Sequence, residues 1–153
     1  MNVARYITLM LLAVLLLPSC AKNTLSKIPQ ISLIAFKPDS TMTVNVDTVY
    51  IEFHLVDGDG DIGNDTVSRV FLKDSRNPTT FIPYDFPHID GSIEDPNKGL
   101  EGICLFYPVP APVPRPDSLH KATGDTLTYE FYITDRAGHA SNHIVTHQLI
   151  IRP

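Results

Sequence analysis

Three aspartates alternate with glycines in a short stretch near the middle of the chain. Asp57, Asp59 and Asp61 occupy every second position, and Asp65 follows four residues later. The intervening glycines allow a sharp turn that would bring the carboxylates to one point. Converging carboxylates repel one another unless a cation offsets their charge, and calcium prefers six to eight oxygen ligands. The spacing therefore predicts a calcium site.

This acidic loop departs from the EF-hand pattern. Its sixth position is Ile62 where an EF-hand has glycine, and its twelfth is Ser68 where an EF-hand has glutamate. A second interpretation is an ordinary tight turn, in which aspartate side chains accept hydrogen bonds from nearby backbone N–H groups. Both interpretations are open from the residues alone.

Three histidines near the C-terminus have a spacing that could bind zinc on a helix. His139, His143 and His147 are four residues apart. Ala137 and Gly138 favour a turn, however, and the apolar residues from 144 to 151 favour a strand. We therefore predict exposed histidines without zinc.

Sequence motifs of the common enzyme classes are missing. The chain contains no G-x-S-x-G, no H-E-x-x-H, no P-loop and no G-x-G-x-x-G after a strand. We therefore predict that the protein is not an enzyme. The alternative, a metal-dependent enzyme, would need an open cleft beside the acidic loop.

Strands are the elements expected to position these residues. Residues 48–56 and 126–134 alternate between apolar and polar side chains, which is typical of half-buried strands. A third strand is predicted within residues 142–152. Shorter candidates cover residues 30–36, 68–73 and 102–107.

Length and composition agree with a single β domain. The 153 residues suit one core, and 13 prolines argue against a long helical bundle. The net charge of -5 argues against binding to nucleic acid, which requires a basic face. The fold class predicted is all-β, as an immunoglobulin-like antiparallel β-sandwich of about seven strands.

Two stretches interrupt this strand pattern. Residues 74–101 form a long aperiodic insertion that carries Phe81, Tyr84 and Phe86, which are candidate ligand-binding residues. Residues 107–116 carry proline at every second position and favour an extended path. Exposed aromatic side chains in the insertion would indicate binding, whereas burial would indicate a structural role.

The N-terminus resembles a bacterial lipoprotein signal. A short apolar stretch ends at Leu17, Ser19 and Cys20, which match the aliphatic, small and lipidated positions of a lipobox. The resemblance implies a signal peptide over residues 1–19, lipidation of Cys20, a tether over residues 20–27 and a folded domain over residues 28–153. The membrane is then a partner through the lipid.

Three segments resemble an uncharacterised group of small lipoproteins from Bacteroidota. They are FHLVDGDGDIG at 53–63, FLKDSR at 71–76 and YITDRAGHASN at 132–142. The last is also similar to the D-x-A-G-N-x-S ending of bacterial immunoglobulin-like and cadherin-like domains, with His139 in place of Asn. In that resemblance, Asp135 comes from a turn at the same end as Asp57 and completes the calcium site.

The same resemblance suggests O-glycosylation. In Bacteroidota, Asp followed by Ser or Thr and then an aliphatic residue or Thr is an acceptor for periplasmic glycosylation. Such tripeptides make five hydroxyl residues candidates: Ser40, Thr48, Thr66, Ser118 and Thr126. The alternative is that Asp-Thr simply leads a turn into a strand.

These features together predict a lipid-anchored binding or adhesion module of the cell envelope, stabilised by calcium. Its partner would be a protein or a glycan. The predicted location is the outer membrane, with the periplasmic and surface sides both open. The alternative is a purely structural envelope lipoprotein.

Overall fold

A computed structural model describes residues 25–63, 67–86, 99–108 and 122–153, and these ranges contain strands, turns and loops but no α-helix. The ten strands of these ranges are β1 Gln30–Lys37, β2 Thr41–Thr43, β3 Tyr50–Asp57, β4 Arg69–Asp74, β5 Ile82–Asp85, β6 Leu100–Phe106, β7 Asp125–Leu127, β8 Tyr129–Thr134, β9 Ile144–Val145 and β10 Leu149–Arg152. The predicted all-β class is confirmed.

The strands form three sheets. Their orders are β1-β3-β6, β2-β10-β7 and β5-β4-β8-β9. All of the pairs are antiparallel except β2 with β10, which run parallel. The prediction of an antiparallel arrangement therefore holds for every described pair but one. The immunoglobulin-like strand arrangement stays a prediction.

Alternation of apolar side chains builds the core. In β3, Ile51, Phe53 and Leu55 are buried while their neighbours are partly exposed. The strand β8 repeats this pattern, and its Phe131 lies 5.5 Å from Phe53, measured between ring centroids. Because β3 and β8 belong to different sheets, this contact shows that the two sheets pack face to face.

Two predicted strands are each divided by a threonine. The segment 126–134 breaks at Thr128, whose carbonyl accepts a hydrogen bond from the Ser75 N–H at 3.0 Å. The segment 142–152 breaks after β9, where buried Thr146 bonds to Tyr129. Its N–H donates to the Tyr129 carbonyl at 2.8 Å, and its hydroxyl oxygen accepts from the Tyr129 N–H at 2.9 Å.

The insertion predicted to be aperiodic contains part of the sheet. Strand β5 pairs with β4, and β6 already begins at Leu100. Because β5 lies at a sheet edge, it tolerates Pro83 and shows no strict alternation of burial. Residues 87–98 of the insertion and 109–116 of the proline segment lie outside the described residues.

The N-terminal predictions also lie mostly outside the described residues. These include the signal peptide over residues 1–19 and Cys20. Residues 25–27, which were assigned to the tether, are described and lie beside the acidic loop. In the described ranges, no helix is long and apolar enough to cross a membrane.

Candidate metal centre

A buried aspartate ends core strand β3, and a second one directly follows core strand β8. Asp57 takes the next inward-facing position after Leu55 in β3, and Asp135 takes the next one after Ile133 beyond β8. Both aspartates are 0% exposed. The alternation that fills the core thus carries two carboxylates into the same end of the fold.

The structure brings together all four aspartates predicted to bind metal. Asp57, Asp59, Asp61 and Asp135 each offer one carboxylate oxygen, and these oxygens all lie within 4.8 Å of one another. Four such groups could hold a metal ion. Asp65 lies outside the described residues.

Three of these carboxylates have a buried oxygen without a hydrogen-bond partner among the described residues. They are the Oδ1 atoms of Asp57, Asp59 and Asp61. A buried acceptor that makes no hydrogen bond costs stability, and a charged one costs more than a neutral one. The cost would be removed by a cation in contact with these oxygens.

The other oxygens of the cluster orient its carboxylates. The Asp57 Oδ2 accepts a hydrogen bond from the Asp61 N–H at 2.9 Å, and the Asp61 Oδ2 accepts from the Ala137 N–H at 3.1 Å. The Asp61 carbonyl also accepts from the Arg136 N–H at 3.0 Å. The first bond lies within the acidic loop, and the other two connect the loop to the turn after β8. None of them involves the Oδ1 atoms.

Asp135 is held by the histidine four residues later. Its Oδ1 accepts a hydrogen bond from the His139 N–H at 2.7 Å, and its Oδ2 lies 2.8 Å from the His139 Nδ1. This side-chain hydrogen bond raises the pKa of His139 above its ordinary value. Each carboxylate oxygen has two lone pairs, so these bonds leave Asp135 able to bind a cation.

The electrostatics of the cluster are unfavourable in the absence of a cation. Burial, followed by the charges of its acidic neighbours, raises the pKa of Asp57 to about 6, although the hydrogen bond from the Asp61 backbone opposes this. Burial and the neighbouring carboxylates also raise the pKa of Asp61. A bound cation would have the opposite effect on both groups.

The turn itself depends on glycine. Gly60 has a backbone φ of +65°, a conformation that residues other than glycine rarely adopt. This agrees with the prediction that glycines allow the loop to turn sharply. The aspartate hydrogen bonds expected of an ordinary turn are also present, so the two interpretations of the loop are compatible.

The three aromatic candidates of the insertion do not share one surface. Phe86 is 5% exposed and belongs to the core, and Tyr84 packs partly against the core, with its ring 5.3 Å from that of Phe106. This burial is what the structural alternative predicts for both residues. Phe81 lies elsewhere, with its ring 5.2 Å from that of Tyr132.

Sequence reasoning missed a group of rings on the outer face of the sheet that contains β4 and β8. Tyr132 stacks on Phe71 with centroids 4.8 Å apart and on His143 with centroids 4.5 Å apart. The Lys73 ammonium lies 4.7 Å from the Phe81 centroid, and Lys73 also pairs with Glu130. We name Phe71, Phe81, Tyr132 and His143 the outer aromatic cluster. The sequence feature that could have indicated this cluster is an aromatic residue at an outward-facing position of each strand, Phe71 in β4 and Tyr132 in β8.

The histidines predicted to be exposed have separate contacts. His139 bonds to Asp135, His143 belongs to the outer aromatic cluster and lies 2.8 Å from Glu130, and the His147 ring contacts that of Phe36. All three are exposed. Among the described residues, the group that could hold a metal is the aspartate cluster.

The described glycosylation candidates are accessible. Ser40, Thr48 and Thr126 are exposed. Thr66 and Ser118 lie outside the described residues. Exposure is required for modification, so these three hydroxyl residues stay candidates.

Comparisons with known proteins do not assign the chain to a family: no family model, curated protein or solved structure matches it. The resemblance to Bacteroidota lipoproteins therefore stays a prediction. The function has to be inferred from the geometry of the site.

Proposed function

We propose that the protein is a lipid-anchored binding module of the cell envelope whose β-fold is stabilised by one calcium ion. The observation that carries the calcium site is the convergence of four carboxylates. Asp57, Asp59 and Asp61 each contribute a buried oxygen that has no hydrogen-bond partner among the described residues, and Asp135 contributes the fourth group. The ion would offset the mutual repulsion of these groups.

The chemistry of the donors favours calcium over other metals. All four side chains offer hard carboxylate oxygens, which suit calcium and magnesium, whereas zinc sites favour sulfur and nitrogen ligands. Magnesium usually retains several waters and binds through one or two carboxylates. Four converging carboxylates therefore favour calcium, with water completing the coordination.

The position of the site supports a structural role for the ion. Asp57 ends β3 and Asp135 directly follows β8; these strands belong to different sheets, and both aspartates are fully buried. An ion bound to both would connect the two sheets at one end of the core. Binding to the native state alone would stabilise the fold by about 2.7 kcal/mol when calcium is present at about 100 times its Kd.

Two features support a membrane-held binding role: the resemblance of the segment ending at Cys20 to a lipoprotein signal, and the outer aromatic cluster. A lipid at Cys20 would hold the domain at a membrane, where a β domain can present an exposed face to a protein or a glycan. The outer aromatic cluster provides rings on such a face, beside the charged Lys73 and Glu130. Within the cluster, His143 is exposed, and Phe71, Phe81 and Tyr132 are half-buried. Phe81 is the member of this cluster that the sequence proposed as a ligand-binding residue.

Thermal unfolding of the full chain in detergent tests the calcium role. We expect a higher Tm in 2 mM calcium than in chelator, and no difference for the Asp59→Asn variant. Asp85→Asn is the matched control, because Asp85 is 88% exposed, pairs with Arg69 and is not one of the four clustered aspartates. An equal Tm for the unmodified chain in both buffers would contradict the proposal.

A further inference from the structure

The residues that precede β1 lie directly against the acidic loop. The ladder between β1 and β3 begins at the pair of Gln30 with Val56. Beyond this pair, the Ser26 carbonyl accepts a hydrogen bond from the Gly58 N–H at 2.7 Å. The chain leading from the N-terminus is therefore bonded to the backbone between two candidate calcium ligands.

This contact leaves no room for a side chain at position 58. A Cβ atom on Gly58 would lie 2.4 Å from the Leu25 carbonyl oxygen and 2.5 Å from that of Ser26. Both contacts are with backbone atoms, which cannot rotate away as a flexible side chain can. We name residues 25–28 the strap. Its packing against the acidic loop requires glycine at position 58 and the observed backbone path of the loop.

The strap has little else in the described structure to hold it. Leu25 and Ile28 are exposed, so neither contributes a buried apolar side chain. The Ile28 N–H donates to the Ser26 Oγ within the strap itself. Lys27 is 77% exposed, and its ammonium is 3.9 Å from the Asp59 Oδ2, a separation at which an exposed ion pair contributes little. Segments with so few buried contacts open at low free-energy cost.

Loop and strap are therefore coupled through one backbone. Repulsion among Asp57, Asp59 and Asp61 favours movements that separate their carboxylates. Where the backbone between Asp57 and Asp59 takes part in such a movement, the Gly58 N–H shifts relative to the Ser26 carbonyl. A cation bound to the three carboxylates would fix the loop backbone. It would thereby keep the Gly58 N–H in place to donate to the Ser26 carbonyl of the strap. The strap's order then depends on occupancy of the site.

We propose that calcium binding to the aspartate cluster orders the strap, so that the domain is joined stiffly to its N-terminal attachment when calcium is bound and loosely when it is absent. This inference rests on the proposed calcium site. It adds a function for that site, namely control of how the domain is held relative to the segment that carries Cys20.

Backbone ¹⁵N relaxation of the full chain in detergent tests this coupling, because an order parameter reports how restricted an N–H group is whether or not it donates a hydrogen bond. We expect the order parameters of residues 25–28 to rise from below about 0.6 in chelator to about 0.85 in 2 mM calcium, and those of residues 57–63 to rise with them. The amides of β8 report whether the fold is intact in each sample.

Two glycine variants separate the strap from the ion. Gly58→Ala should retain calcium-dependent ordering of residues 57–63 and lose that of residues 25–28. Gly102→Ala is the control, because a Cβ there meets no atom within 4 Å, and it should behave like the unmodified chain. Retained calcium-dependent ordering of residues 25–28 in a folded Gly58→Ala protein would overturn the inference.

The unmodified chain alone also gives a decisive result. Ordering of residues 57–63 by calcium without any change at residues 25–28 would overturn the strap proposal and leave the calcium site standing. No calcium effect on either segment would overturn both. The unmodified protein therefore suffices even if Gly58→Ala does not fold.

Discussion

At the scale of single residues, the acidic cluster is a set of groups that destabilise the fold until a cation is present. The buried Oδ1 atoms of Asp57, Asp59 and Asp61 lack partners among the described residues, while backbone N–H groups hold other oxygens of the cluster. Removing one charge should therefore have opposite effects with and without calcium.

The Asp59→Asn variant tests this reversal. Because it removes one of the repelling charges, we expect it to be more stable than the unmodified chain in chelator, by about 1 kcal/mol. In calcium it should be less stable, because it loses a charged ligand. Urea unfolding in both buffers measures the two free energies. A variant that is destabilised equally in both buffers would contradict this account.

The pH dependence of the calcium-free protein follows from Asp57. Its pKa is raised from 3.8 to about 6 in the folded state, so the fold binds this proton more tightly than the unfolded chain does. The contribution of Asp57 to stability must then increase as the pH falls from about 6 to about 4. Subtracting the urea-unfolding free energies of Asp57→Asn from those of the unmodified chain isolates it. A difference that is constant over this pH range would contradict the prediction.

Burial also sets the reactivity of Cys104. It raises the pKa of this thiol to about 11, and the side chain packs partly against the core. The thiolate that reacts with alkylating reagents is therefore scarce at pH 8. We expect iodoacetamide to label Cys104 slowly in the folded protein and rapidly after unfolding in urea. Equal labelling rates in the two states would show that the thiol is not protected.

At the scale of strands, much of the fold could be predicted because alternation survives in the sequence. The segments 48–56 and 126–134 carry enough apolar residues at every second position to identify β3 and β8. Edge strand β5 could not be found this way, because Ile82 and Pro83 are exposed and its burial does not alternate. The three-residue β2 is too short for a period to be recognised.

The candidate site was partly predictable for the same reason. Asp57 and Asp135 each follow an aromatic and an aliphatic residue at alternate positions, as in Phe53-x-Leu55-x-Asp57 and Phe131-x-Ile133-x-Asp135. This shared pattern indicates two inward-facing carboxylates without reference to any family. The sequence could not reveal that the two strands face one another, because that contact joins different sheets.

The break between β9 and β10 depends on one hydroxyl group. Thr146→Val would keep the shape of the side chain and leave the Tyr129 N–H without its acceptor. We expect a loss of about 1 to 3 kcal/mol in the free energy of unfolding. Thr126→Val is the matched control, since Thr126 is exposed and valine suits a strand. Similar stabilities for the two variants would show that the hydroxyl group does not hold this turn.

At the scale of the whole molecule, one end of the fold gathers the acidic loop, the turn after β8 and the strap. The buried apolar side chains of the described residues form one cluster, so an ion at this end would act on both packed sheets and on the strap together. The outer aromatic cluster lies on a separate sheet face. In this proposal, calcium controls the stability of the domain and the order of the strap, whereas the outer aromatic cluster is the surface that binds a partner.

Calorimetric titration of the full chain with calcium is the most direct test of the central claim. We predict one calcium ion bound per chain, with binding abolished by Asp57→Asn and unaffected by Asp85→Asn. The absence of binding to the folded, unmodified chain would contradict the claim. So would binding that persists unchanged in Asp57→Asn.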